Sequence, residues 1–405
     1  MRVTTVFNRI FGVPGASVAS VSFTDQGLVL GLRRRFRLLT CPCGQRGSAR
    51  YDGSVRRWRH LDCGACSVWL EAEIRRVDCR ACGRVRTEVV PWARPGARHT
   101  RDFEDVVGWL AQRMDKSGVA RLLRCSWEAV DGIVRRVVDD HLDDARLDGL
   151  YRIGVDEISY KRGHHYLTVV ADHDNGGRVV WIGEGRSREV FEEFFDELGD
   201  ERAAQLVAIT MDASPTYMPV AADRAPNAAI CLDPFHIIKW TNEALDSVYR
   251  YHPTPPAMSG KDWRRTRYAL RAGKERLKRE HRAIVNGLRR GRYHIGRAWE
   301  LKEQLRSLYR RIKPHRARPH LKAWITTAKR SRIPQFRTLA TRLEKHFDAI
   351  TAAVELGLSN SRLEGINSKI RVIQRRGYGH PSADSLAAMI YLCIGGITIT
   401  LPTQR

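Results

Sequence analysis

The segment Tyr151–Tyr160, YRIGVDEISY, decides the fold. It has the residue types and rhythm of a β-strand, and it opens a stretch of chain unlike the region before it. Residues 164–185, HHYLTVVADHDNGGRVVWIGEG, read as a hairpin that turns at DNGG. SREVFEEFFDELG (187–199) reads as a capped helix. AQLVAITMDAS (204–214) is a strand, and PTYMPVAADRA (215–225) a helix with proline near its start. NAAICLDPFHI (227–237) is a strand running into the helix HIIKWTNEALDSVYRY (236–251). The order β-β-β-α-β-α-β-α predicts three antiparallel strands, then parallel strands with helices on the faces. That is the plan of a ribonuclease H-like fold.

Two acids stand at telling places in that plan. Asp156 lies inside the first strand, and Asp212 ends the strand ITMDAS. The two strands are expected side by side, which brings the carboxylates together. Close carboxylates repel unless a cation sits between them, and hard oxygen ligands suit Mg²⁺, with Mn²⁺ as a substitute. Glu157 is the neighbour and rival of Asp156, but strand alternation lets only one of the two face the site. Asp233 and His236, in LDPFHI, are expected at most to support the ligands; otherwise they are a helix cap and a core histidine.

A third acid could come from SNSRLEGINSKIRVIQRRGYGH (359–380). Ser359 or Asn360 can cap a helix there and Gly377 can end it. Leu363, Ile366, Ile370 and Ile373 fall on one apolar stripe. Glu364 falls elsewhere, in line with Ser368, Arg371 and Arg375. Taken alone, this is a solvated amphipathic helix with a salt-bridging Glu. Taken with the two aspartates, Glu364 completes a two-metal site, while Lys369, Arg371, Arg375 and Arg376 hold phosphates. One ion would then activate the attacking water or hydroxyl, and the other would stabilise the leaving oxygen.

Charge supports a polyanionic partner. The 405 residues carry 70 Lys+Arg against 45 Asp+Glu, a net +25. Residues 261–350 alone hold 28 Lys+Arg and 7 Asp+Glu, so they supply +21 of that excess. Trp263, Trp299 and Trp324 lie in the same span, where helical spacing favours a core role over base stacking. No apolar run is long enough to cross a membrane, and no signal peptide is evident. A reducing cytoplasm is therefore expected, and in it the nine cysteines read as thiols or metal ligands.

The cysteines cluster near the N-terminus. Residues 19–40 read as a hairpin around TDQG, and CPCG then gives Cys41 and Cys43, CGAC gives Cys63 and Cys66, and CRACG gives Cys79 and Cys82. Four soft ligands make a structural zinc site. Cys41, Cys43, Cys79 and Cys82 are the expected set, with Cys63 and Cys66 as an alternative to the first pair. From 101 to 142 the chain reads as helical, and KSGVARLL followed by RCSWEAVDGIVRRVVDDHL suggests a helix-turn-helix. Ser126 would cap the second helix, and Ser126, Trp127, Arg135 and Arg136 would meet DNA.

Together CPCG…RRWRHLD…CRACG, GVDEISYKRGHHY, MDASPTY, DPFHIIK and SNSRLEGINSKIRVIQRRGYG resemble the ISL3 insertion-sequence transposases. The resemblance covers about Cys41 to Cys393. It implies a zinc-ribbon, DDE-type enzyme with Asp156, Asp212 and Glu364 as its Mg²⁺-dependent triad. It also implies binding to the terminal inverted repeats of the encoding element and to target DNA, by a dimer or larger assembly near the prokaryotic nucleoid. The expected architecture is multidomain α/β. Residues 1–98 form a β-hairpin and zinc ribbon, and 99–148 a helix-turn-helix domain. Residues 149–250 begin the ribonuclease H-like catalytic core, 251–350 form a basic all-helical insertion, and 351–405 supply the core's C-terminal helices. Two other readings remain open on the sequence. One is a DNA-binding regulator on an inactive scaffold; the other is a nuclease that cuts without joining.

Overall fold

Two five-stranded sheets organise the chain. The computed structural model describes residues 2–256, 258–359 and 361–404. It divides into one unit of Met1–Asp144 with Arg371–Arg405 and a second of Ala145–Ile370. These boundaries fall near 148 and within the C-terminal helices of the expected domain plan.

In the first unit, a short helix α1 (Val3–Phe11) precedes β1 (Ala16–Thr24), β2 (Gly27–Arg34), β3 (Ala49–Cys63), β4 (Cys66–Cys79) and β5 (Arg84–Thr87). The sheet order is β1-β2-β4-β3, with β5 on β4. Alternation along β4 buries Val68, Leu70, Ala72 and Ile74 with Trp58 and Trp92. Three helices follow: α2 (Arg101–Ala111), α3 (Lys116–Leu123) and α4 (Trp127–His141). Thr100, Asp115 and Ser126 cap their N-termini with side-chain oxygens, as the sequence requires for Ser126.

The second unit carries β6 (Arg152–Lys161), β7 (His165–Asp172), β8 (Val179–Glu184), β9 (Ala208–Met211) and β10 (Ala229–Leu232). Their order is β10-β9-β6-β7-β8. The pairs β6/β7 and β7/β8 are antiparallel, whereas β6/β9 and β9/β10 are parallel, as the element order predicts. Helix α5 (Arg188–Leu198), the short α6 (Asp200–Ala203) and α7 (Tyr217–Arg224) connect the strands. Phe191, Phe194 and Phe195 of α5 are buried in the core of this sheet.

After β10 comes α8 (Pro234–Tyr251), then a helical run: α9 (Gly260–Arg271), α10 (Arg279–Arg290), α11 (His294–Arg310), α12 (Ala317–Lys329), α13 (Pro334–Lys345) and α14 (Phe347–Glu355). Trp263, Trp299 and Trp324 are buried in its core, so they build the helical body. Lys302 is buried too and donates to the carbonyls of Leu270 and Ala272, at the end of α9, at 2.6 and 2.7 Å. The chain closes with α15 (Ser361–Arg376) and α16 (Ala383–Ile394). Leu363, Ile366, Ile370 and Ile373 form the buried stripe of α15. Asn360, a candidate cap for it, lies outside the described residues.

Candidate active site and nucleic-acid interface

Strand register places three aspartates in one row. Gly154 on β6 is opposite Thr210 on β9, and Thr210 is opposite Cys231 on β10. Two residues further along each chain stand Asp156, Asp212 and Asp233. The pairing persists at the last of them, where Asp233 N–H donates to Met211 O at 3.1 Å. Neighbouring strands lie about 4.8 Å apart, so carboxylates in one row interact. Burial raises the pKa of Asp156, and the Asp212 charge raises it further. The Glu157 carboxyl is also raised by burial, against the pull of Arg186.

His236 enters this row from the first turn of α8. Its Nδ1 lies 2.8 Å from Asp212 Oδ1 and 3.6 Å from Asp233 Oδ2. The Asp212 carboxylate, then Asp233, hold the imidazole pKa up at about 9. Asp233 is buried and caps α8, with Oδ1 accepting from Phe235 N–H at 3.2 Å. Ligand atoms of Asp212, Asp233 and His236 all lie within 4.8 Å of one another, close enough to share one cation. The two carboxylates suit Mg²⁺ or Mn²⁺, and the imidazole can join them as a ligand only by giving up its proton, so the pair of acids is the part of the set that fits a divalent ion. The residues that the sequence left as supports thus stand against Asp212.

Helix α15 reaches Asp156 through Asn367, whose Nδ2 donates to Asp156 Oδ2 at 2.5 Å. The helix comes close because Gly154 has no side chain. A Cβ there would stand 2.2 Å from Leu363 Cδ1 and 2.8 Å from His173 Nε2. Glu364 sits one turn before Asn367 and is exposed. Among the described residues, Asp156, Asp212 and Glu364 do not form a group with all ligand atoms within 4.8 Å. Asn367 is the residue that the sequence reading missed. Its only signal was a spacing of three from Glu364, which puts both on adjoining positions of one helix side.

The basic residues of α15 divide. Lys369, Arg371 and Arg375 are exposed. Arg376 turns inward, donating to Ala111 O at 2.8 Å and Gln112 O at 3.0 Å at the end of α2. On α4, Arg136 grips buried Glu104 at 2.6 and 2.9 Å. Arg135 bonds Asp131 at 3.1 Å and Ser382 at 3.2 Å. These three are engaged within the fold. Ser126 is exposed at the N-terminus of α4, and half-buried Trp127 lies beneath the Lys116 ammonium.

The four expected cysteines meet. Cys41 Sγ lies 3.8 Å from Cys82 Sγ, and Cys43 Sγ 3.5 Å from Cys79 Sγ. A tetrahedron with Zn–S bonds of about 2.3 Å has edges of about 3.8 Å, so this spacing fits zinc. Each knuckle ends in a glycine with positive φ, where Gly44 N–H returns to Cys41 O and Gly83 N–H to Cys79 O. The backbone N–H of Cys82 holds the Cys79 thiol down at about 6, toward the thiolate that a metal requires. Cys63 and Cys66 sit exposed at the β3–β4 turn, outside the cluster. Arg124, in the turn between α3 and α4, ties that tip down through Asp62 and Ala65 O.

Comparison with known proteins agrees with this arrangement. Residues 153–390 match a transposase family profile of ISL3 type. Residues 88–138 match the helix-turn-helix domain of transposase family ISL3, and 38–82 the zinc finger of the IS204/IS1001/IS1096/IS1165 transposases. The chain belongs to the ISL3 family of transposases. It is 39% identical to the transposase for insertion sequence element IS1557 of Mycobacterium tuberculosis, over 100% of this chain and 98% of that protein. It is 29% identical to the transposase for IS1001 of Bordetella parapertussis, over 88% and 89% of the two. The zinc-finger match spans all four cysteines of the cluster, which supports structural zinc in this transposase. No helix among its described residues is long and apolar enough to cross a membrane.

Proposed function

We propose that this transposase binds the terminal inverted repeats of its own element and performs strand cleavage and strand transfer through Asp156, Asp212 and Glu364 on a ribonuclease H-like core. The observation that carries the reading is the register that sets Asp156, inside β6, beside Asp212 and Asp233, which directly follow the parallel strands β9 and β10. The Asp156 carboxyl, raised by burial and then by the Asp212 charge, supports it, since a cation between the two acids would relieve both effects. Asp156, Asp212 and Glu364 would hold Mg²⁺, or Mn²⁺ in its place, which would supply charge to the attacking and leaving oxygens.

The chain's own residues bind and aim the DNA. Lys369, Arg371 and Arg375 present cations on the helix that carries Glu364. The helical span 261–350 adds a field of +21, which draws in the phosphate backbone without reading its sequence. Sequence is read by the start of α4, at Ser126 and Trp127. Two DNA ends require a dimer or larger assembly on DNA, at work in a prokaryotic cytoplasm.

The test follows labelled duplexes of the element's ends with the full-length protein, with Mg²⁺ present and absent. Mg²⁺-dependent nicking at the element boundary, then joining to a plasmid, is expected. Binding without nicking under Mg²⁺ or Mn²⁺ would instead make the protein a regulator. Nicking without joining would make it a nuclease.

A further inference from the structure

Asn367 has one satisfied end and one unsatisfied end. Its Nδ2 donates to Asp156 Oδ2, while Asp156 Oδ1 takes the Glu157 N–H at 2.7 Å. Its own Oδ1 is buried without a hydrogen-bond partner among the described residues. A buried amide oxygen left without a partner is costly, and native folds keep few of them. This one lies on an amide that already touches a metal-facing carboxylate. In surroundings that already include Asp156 and Asp212, the natural complement of another oxygen is a cation.

An asparagine can serve both conditions. The Cβ–Cγ torsion is broad and roughly two-fold, so a half-turn exchanges oxygen and nitrogen at little cost. With the nitrogen on Asp156, the amide spreads charge that would otherwise repel Asp212. With the oxygen there, two acceptors would face each other, which is stable only with a cation between them.

Resting on the proposed role of Asp156, we propose that Asn367 is a positioning residue of the metal site with two settings. It donates to Asp156 when the site is empty and turns its amide oxygen to the ion when a divalent cation binds. Glutamine is one methylene too long for this, and leucine fills the space with neither donor nor acceptor.

The experiment measures thermal shift and end nicking of the full-length, zinc-loaded protein across a Mg²⁺ series, repeated with Mn²⁺. Asn367→Leu is expected to raise the half-saturating Mg²⁺ about tenfold in both readouts, the usual loss when a supporting ligand goes. Asn367→Asp keeps an oxygen and loses the donor, so it should hold half-saturation within about twofold while lowering the metal-free Tm. A merely structural Asn367 would lower Tm in both variants and leave half-saturation alone, which overturns the inference. Should Asn367→Leu not fold, a tenfold loss of Mg²⁺ affinity in Asn367→Asp would overturn it equally. If the wild-type protein shows no Mg²⁺ or Mn²⁺ shift that Asp156→Asn removes, the wider reading of the site fails as well.

Discussion

Asp156 and Asp212 stand 56 positions apart in sequence, and each follows by two residues a member of the pair Gly154 and Thr210. That was legible, because strand alternation and strand ends are written in the residues themselves. The link of Asn367 to Asp156 was not legible, because it depends on how a helix lies across a strand that lacks a side chain at Gly154. The arginines teach the same lesson in reverse. Sequence gives their charge but not their partners: Arg135, Arg136 and Arg376 read as DNA contacts, and the fold also pairs them with Asp131, Glu104 and the end of α2. Two predictions belong at this scale. Asp156→Asn should abolish end cleavage, leave DNA affinity within about twofold, and keep or raise the metal-free Tm, since it removes repulsion from Asp212. A fall of several degrees, checked by calorimetry, would mean that the carboxylate is there for the fold. Lys369→Ala should lower the salt slope of DNA binding by about one unit with Tm unchanged. Arg376→Ala should do the opposite, losing about 1–3 kcal/mol of stability, as two carbonyls lose a charged donor.

At the scale of elements, the hairpins and amphipathic helices followed their sequence periods closely. The β1–β2 hairpin turns at TDQG, and α4 starts after its Ser126 cap. Helix α1 was not read, because nine residues with no side-chain cap give little signal. The zinc module shows why spacing alone was ambiguous. Three cysteine pairs end or flank strands, and only the pairing of β3 with β4 sends Cys63 and Cys66 to a distant tip. Metal analysis should therefore find zinc in the wild type, and the same amount in a Cys63→Ser, Cys66→Ser double variant. Cys79→Ser should lose the zinc and, with it, the cooperative unfolding of the N-terminal unit. Equal zinc loss from the tip variant would place the site elsewhere.

Across the whole molecule, the chain folds as two units, the first built from the separate stretches Met1–Asp144 and Arg371–Arg405. Buried histidines give the first unit a definite response to acid. In the first unit, burial holds His60, His99 and His380 down at about 4. An unfolded histidine takes its proton near 6.5, so between about 6.5 and 4 the unfolded chain binds protons that the folded unit refuses. Stability of that unit is full above about pH 6.5 and should fall as pH drops toward 4. Thermal scans with zinc content followed in parallel should show it, and His60→Gln should flatten the fall; an unchanged slope would remove His60 as a cause.

The first unit has a further property. Its helix-turn-helix is completed by the end of the chain: buried Lys116 and Asp131 meet Ser385, and Gln112 donates to the carbonyls of Leu392 and Ile397. A ribosome must therefore pass Ile397 before all the bonds that close this helix-turn-helix can form. A copy of the gene broken by a stop ahead of Ser385 would make chains whose Lys116 and Asp131 lack that partner, and whose helix-turn-helix should be less stable. Decay of the element would then leave behind a weaker competitor for its intact relatives.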